Sequence, residues 1–307
     1  MPDRLMLLDT ASLYFRAFYG VPDTVQAADG RPVNAGRGLL DMIAKLALFS
    51  ESTELVACWD DDWRPQWRVD LIPSYKTHRV AEVVAAGPDV EVVPDPLEAQ
   101  VPLIRAELGA LGIPIVGAAD HEADDVIGSL AAQSTMPVDV VTGDRDLFQL
   151  VDDDRGVRVV YTGRGMSNLE LLDAAAIVGR YGVLPEQYAD YAVMRGDASD
   201  GLPGVAGIGE KTAASLLAAH GDLTGIIAAA ASGTGMTAGI RAKILAAADY
   251  LAVAPRVVEV VRDLDLGEID ARIRATDAGD LDALAERWGL GASAGRAAAA
   301  LAARADA

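Results

Sequence analysis

Three apolar runs along the chain end in the same way. Leu5-Met6-Leu7-Leu8 runs into Asp9, and Leu55-Val56-Ala57-Cys58-Trp59 into Asp60. Val138-Asp139-Val140-Val141-Thr142 passes through Gly143 to Asp144, Arg145 and Asp146. Short, nearly continuous apolar runs predict strands buried on both faces, as in parallel sheets. The carboxyl ends of such strands are where open α/β sheets place ligands. Between the strands the period changes. Residues 10–19 predict a helix entered through a Thr or Ser cap. Over 38–49, Leu39, Ile43, Leu46 and Phe49 recur at helical spacing. Strand, helix, strand of these lengths is a βαβ unit, so the sheet should be parallel. Further on, Val101, Ile104, Leu108 and Leu111 predict one helix over 97–111. A short strand follows at 113–116, a helix at 121–132, and a last strand at 157–161.

Two stretches break this alternation. Residues 61–96 have no clean period, contain Pro65, Pro73, Pro88, Pro94 and Pro96, and carry a basic cluster at Lys76, His78 and Arg79. Long irregular stretches inside a domain are often functional. Beyond Pro185, a helix over 186–194 gives way to a glycine-rich segment holding Gly201, Gly204, Gly207 and Gly209. Alanine-rich helical sequence then runs to the end. The predicted organisation is an α/β core over 1–185 with a clamp over about 64–100, a second helical unit over 186–265, and a helical extension over 266–307.

Composition narrows the class. With 46 acidic and 26 basic residues the chain carries a net charge of −20. That argues against a generic nucleic-acid binder with a basic surface, and fits a protein that gathers acid to hold cations. The single Cys58 leaves no internal disulfide and suits a reducing compartment. Arg4 precedes only four apolar residues before Asp9, so no signal peptide is expected, and no run approaches the roughly 18 apolar residues of a membrane span. A cytoplasmic protein is expected.

The acids are the chemical signal. Asp9, Asp60, Asp144 and Asp146 are joined by Glu122, Asp124 and Asp125 at a helix start, and by Asp197 and Asp200 before the glycine segment. Any one of these could cap a helix or solvate a turn. Three strands ending in Asp are harder to explain by capping. Two unit charges 4 Å apart repel by roughly 4 kcal/mol at an effective dielectric near 20. Only Arg145 and Arg195 lie beside them in sequence, so divalent cations are the obvious remedy. Oxygen-only donors point to two or more Mg²⁺ or Mn²⁺ ions, and a two-ion site suits phosphoryl displacement. Lys76 and Arg79, three apart, could grip the scissile phosphate or simply face solvent. Tyr14, Phe15, Phe18 and Tyr19 could stack bases or edge the core. The segment from Gly204 to Lys211 is either an ordinary tight turn or a sequence-independent phosphate cradle at a helix N-terminus.

Together these stretches resemble the 5′-nucleases of the flap endonuclease superfamily, as in the bacterial 5′–3′ exonuclease domain that precedes DNA polymerase I. The resemblance runs from Leu5 to Leu251. Leu8-Asp9 with Tyr14-Phe15-Arg16-Ala17 is similar to the first motif, and Tyr75-Lys76 through Arg79 to the base of the helical arch. Glu122-Ala123-Asp124-Asp125, Thr142-Gly143-Asp144-Arg145-Asp146 and Gly196-Asp197-Ala198-Ser199-Asp200 are similar to the metal motifs. Leu202-Pro203-Gly204-Val205 through Gly207-Ile208-Gly209-Glu210-Lys211-Thr212 looks like the helix–two-turn–helix element.

The resemblance implies a mostly parallel sheet with helices on both faces, a helical arch, and a C-terminal helix–two-turn–helix subdomain. It implies metal binding by all nine acids, with Lys76 and Arg79 at the transition-state phosphate and Tyr14 and Arg16 near the substrate. Gly204, Val205, Gly207, Ile208, Gly209, Lys211 and Thr212 would contact duplex DNA, with K⁺ at that element. The activity implied is structure-specific 5′–3′ exonuclease and flap endonuclease cleavage in replication and repair. Its substrates would be flapped, nicked or gapped DNA, or RNA–DNA. A stand-alone monomer at the nucleoid, functionally coupled to a DNA polymerase, is expected. Two other functions stay open: a junction-binding protein without turnover, and a PIN-type ribonuclease. The chain departs from the family pattern at Thr10, where glycine is usual, at Gly201, where asparagine is usual, and over 80–96, which has no Lys or Arg.

Overall fold

Burial on both faces sets the centre of the molecule. The computed structural model describes residues 3–84, 87–276 and 278–305. In chain order its strands are β1 (Leu5–Asp9), β2 (Glu54–Cys58), β3 (Val80–Glu82), β4 (Val90–Glu91), β5 (Ile115–Val116), β6 (Val138–Thr142), β7 (Val157–Tyr161) and β8 (Glu170–Leu172). Its first helices are α1 (Thr10–Gly20), α2 (Asn34–Ser50), α3 (Gln66–Leu71), α4 (Asp95–Glu98), α5 (Val101–Ala110), α6 (Ala123–Gln133) and α7 (Ala174–Tyr181). There follow α8 (Tyr188–Arg195), α9 (Glu210–His220), α10 (Leu223–Ser232), α11 (Ala238–Ala246), α12 (Ala248–Val258), α13 (Ala278–Trp288) and α14 (Ala292–Ala305).

The main sheet has the order β5-β2-β1-β6-β7-β8 and is parallel except for β8, which pairs antiparallel with β7. Every residue of β1 and β6 is buried. Along β1, Leu5 and Leu7 join one core while Met6 and Leu8 join the other, the period of two that a pleated strand imposes. Each such buried side chain contributes about 1.5–3 kcal/mol. The first core takes in residues of α6 to α12, the second residues of α1, α2, α5, α13 and α14. Asp139, the charged break in β6, sits far from the site and is answered by Arg4 and Arg158, each at 2.7 Å.

The clamp takes a form the resemblance did not imply. Among the described residues of 80–94 there is no helix; β3 and β4 make an antiparallel hairpin instead. Val80, Val90 and Val92 favour extended backbone, and Pro88 and Pro94 break helices. Arg64 pairs with Asp89, and Trp63 Nε1 donates to the Asp89 carbonyl at 2.7 Å, closing the hairpin's neck. The helix expected over 97–111 is also divided. Pro102 lacks an N–H, and α4 stops before Gln100, whose side chain crosses to accept from Ala35 N–H at 2.9 Å. The alanine-rich end of the chain folds as α14 against α2, with Ala297, Ala300 and Leu301 buried.

Candidate active site

At the carboxyl edge of the sheet a cleft of about 340 Å³ is lined by Asp9, Asp60, Glu122, Asp124 and Asp144, with Lys76, Arg79 and Glu91 facing them from the clamp. Asp9 ends β1 and caps α1, accepting from Ser12 N–H at 3.2 Å. Its other oxygen accepts from the Thr142 hydroxyl at 2.6 Å, and the same hydroxyl oxygen accepts from Asp144 N–H at 2.8 Å. One threonine thus fixes acids from two strands. Asp60 accepts from Ala123 N–H at 2.8 Å and so anchors the start of α6, which brings Asp124 over the edge.

Burial pushes the Asp9 carboxyl up to about 7; the Thr142 bond works against this, while Asp60 and Asp144 add to it. Asp124 and Asp146 are raised well above the carboxylate range, again chiefly by burial and then by their acidic neighbours. Asp60 and Asp200 rise for the same first reason. Asp146 feels Asp144, Asp200 and Asp197, so Asp144 stands between the cleft acids and a second group at 146, 197 and 200. Among the described residues no three such groups are drawn together tightly enough to grip one ion as they stand. The donor set is all oxygen, as hard divalent cations require.

Two acids in the expected metal set have basic partners from the clamp. Asp125 faces the core, where Arg68 of α3 makes a bidentate pair with it at 2.8 and 2.7 Å. Burial raises its carboxyl, but Arg68 outweighs this and holds it below the usual range. Val261 N–H completes its shell at 2.9 Å, so Asp125 ties α3 and the returning C-terminal segment to α6. Glu122 lines the cleft, yet one oxygen accepts from the Tyr75 hydroxyl at 2.7 Å and the other holds the Lys76 ammonium. Its place in this structure is to position Lys76. Burial alone would lower the Lys76 ammonium; Glu122, Tyr75 and Asp200 together outweigh it, and Lys76 stays charged. The basic partners that claim both acids come from the clamp, too far off in sequence for helix spacing to reveal.

Asp197 is held by Arg195 at 3.1 Å and Ser199 N–H at 2.9 Å, and Asp200 by Arg79 at 3.1 Å. Tyr14 stacks on Phe15 at 5.2 Å and leans on Trp59 at 5.9 Å, on the cleft wall. Arg16 lies against Gly143, its Nε unbonded. In the glycine segment, Gly204 crosses Gly196 so closely that a Cβ would lie 2.6 Å from the Gly196 nitrogen. That close approach requires glycine. The side chains of Val205 and Ile208 are buried in the core, which leaves only their backbone groups for a phosphate. Gly207, Gly209 and Lys211 are exposed, Thr212 half-buried, and α9 begins with no side chain capping its N–H groups. Lys243 donates to the Gly207 carbonyl at 2.8 Å. Pattern reading missed Thr142, Ser12 and Glu91. A hydroxyl at the end of a strand, one residue before Gly143-Asp144, was a usable signal for Thr142; nothing local marks Glu91.

A crevice this acidic is bearable only with cations in it, and a lysine held charged at its wall suits an anion that meets those cations. The class is an α/β hydrolase of phosphodiesters, a nuclease. Comparison gives the family. Residues 4–182 match the 5′–3′ exonuclease N-terminal resolvase-like domain, and residues 183–280 the 5′–3′ exonuclease C-terminal SAM fold. A 5′–3′ exonuclease of Streptomyces coelicolor is 60% identical over 94% of this chain and 97% of its own. DNA polymerase I of Mycobacterium bovis is 40% identical over 73% of this chain, which spans 24% of that protein. The fold is shared with the bacteriophage T5 D15 flap endonuclease, solved as a complex with DNA and metal ions, at a TM-score of 0.63 and 17% identity over 99% of this chain and 100% of that one. The chain belongs to the 5′–3′ exonuclease family, and it is an enzyme that hydrolyses phosphodiester bonds.

Proposed function

We propose that this exonuclease cleaves DNA near single-strand/duplex junctions, as in primer removal and repair, and does so with Mg²⁺ or Mn²⁺. The observation that carries this reading is the cleft itself: carboxylates of β1, β2, β6 and α6 facing a charged, buried Lys76. Divalent cations held by Asp9, Asp60, Asp124 and Asp144, with Asp146, Asp197 and Asp200 beyond, would supply the positive charge that stabilises attacking and leaving oxygens. Lys76 donates to a non-bridging oxygen of the reacting phosphate, and Arg79 flanks it. Tyr14 and Arg16 line the path of the strand beside the cleft. The exposed N–H groups at the start of α9, with Lys211, take backbone phosphates of the duplex without reading bases. Potassium at this element would draw on backbone carbonyls such as that of Gly207, taking the place of the Lys243 ammonium that the carbonyl now accepts from. The polymerase I relative supports work alongside a DNA polymerase.

Labelled 5′-flap, nicked, gapped and single-stranded DNA, each incubated with Mg²⁺ and with Mn²⁺, tests the reading. Metal-dependent products near the junction are expected. Preference for unpaired RNA over forked DNA would contradict it.

A further inference from the structure

Lys76 has a left-handed backbone, with φ of +48°. A residue with a Cβ gives up roughly 1–2 kcal/mol there, so its surroundings must hold it. Three hydrogen bonds do so across more than a hundred residues of sequence. Lys76 N–H donates to the Asp200 carbonyl at 2.9 Å, and the Ser74 hydroxyl to the Gly201 carbonyl at 2.8 Å. Arg79 Nη2 donates to the Ser199 carbonyl at 3.0 Å. Gly201 itself has a φ of +70°, and a Cβ there would lie 2.1 Å from the Ser74 carbonyl oxygen. The clash would be with backbone, which cannot swing aside as a flexible side chain does. The clamp base and the 197–202 loop therefore touch main chain to main chain only because position 201 has no side chain.

We propose that Gly201 is a positioning residue for the reaction: it admits the strap between Ser74–Lys76 and Asp200–Gly201 that sets the backbone of Lys76 and aims its ammonium at the cleft. This deepens the reading given above and rests on Lys76 being the cation that meets the reacting phosphate. It also accounts for the departure at 201, since an asparagine could not occupy this close approach.

The test is a double-mutant cycle on a 5′-flap substrate with Mn²⁺, joined to amide hydrogen exchange at Lys76. Gly201→Ala should lower kcat by about 100-fold, the scale of a misplaced reacting group, with KM little changed. In a Lys76→Met background the same change should cost less than about twofold, because the group it positions is gone. Exchange of the Lys76 amide should quicken in Gly201→Ala whether or not metal is present. If Gly201→Ala does not fold, Ser74→Ala, which removes one strap bond, carries the same cycle with a smaller first loss. An equal loss in both backgrounds, or an unchanged Lys76 amide, would overturn the proposal. Undiminished kcat in Lys76→Met would instead overturn the reading of Lys76 itself, and the strap's role with it.

Discussion

Thr142 spends one hydroxyl on two acids, donating to Asp9 and accepting from the Asp144 amide. Its bond to Asp9 favours the ionised carboxyl, so Thr142→Val should push that group further above about 7. Mn²⁺ affinity, followed by calorimetry between pH 6 and 8.5, should weaken in the wild type as pH falls through the Asp9 range. In the variant that midpoint should move to higher pH; coincident curves would count against the threonine's role. The sign for stability is the opposite of the usual salt-bridged carboxylate. Asp9 is raised in the folded protein, so its contribution is full at low pH and is lost as pH rises from the ordinary carboxylate value of 3.8 towards about 7. At this scale the gathering of Asp9, Asp60, Glu122, Asp124 and Asp144 on one cleft was legible, because each lies at or just past the end of a strand or at a helix start. The pairing of Glu122 with Lys76 and of Asp125 with Arg68 was not, because those cations come from the clamp.

Between elements, α5 packs on α2 with a carboxyl in the seam. Glu107 of α5 is fully buried against Gly36 of α2, and neither carboxylate oxygen has a hydrogen-bond partner. Burial raises it from 4.5 to about 8. The folded protein therefore loses stability as pH climbs from 4.5 to about 8, where the folded state holds a proton the unfolded chain would release. Glu107→Leu should remove that slope and gain about 1–3 kcal/mol at pH 8.5, the usual cost of an unmatched buried polar group. Urea titrations at pH 5 and pH 8.5 measure both; a variant no more stable at the higher pH would contradict the account. Position 107 shares the i, i+3, i+4, i+7 face with Ile104, Leu108 and Leu111, but a glutamate there reads as an interruption of the apolar stripe, and the face of α2 that buries it is chosen by tertiary packing. The clamp hairpin was hidden for a related reason. Its strands are too short to show a period, and its neck is closed by Arg64 and Trp63, remote from Asp89 in sequence.

Across the whole molecule, a net charge of −20 means that the proposed DNA contact would be local. On that reading Lys76, Arg79 and Lys211 and the N–H groups of α9 would offer positive potential at a few points. The glycine segment and the acids were readable as separate motifs, and their family resemblance supplied the arrangement. The strap between the clamp base and the 197–202 loop needed coordinates, because a glycine's reason for being glycine is the neighbour it lets in. The claim on which all of this depends is that acids from distant stretches act together through divalent ions. Asp144 and Asp146 join the two acid groups, so the Asp144→Asn, Asp146→Asn double variant tests that claim most directly. The measurement is Mn²⁺-dependent cleavage of a 5′-flap duplex, run beside duplex binding by anisotropy. Cleavage should be abolished while binding is largely kept; cleavage that survives, or binding lost along with it, would mean that these acids do not act together through metal.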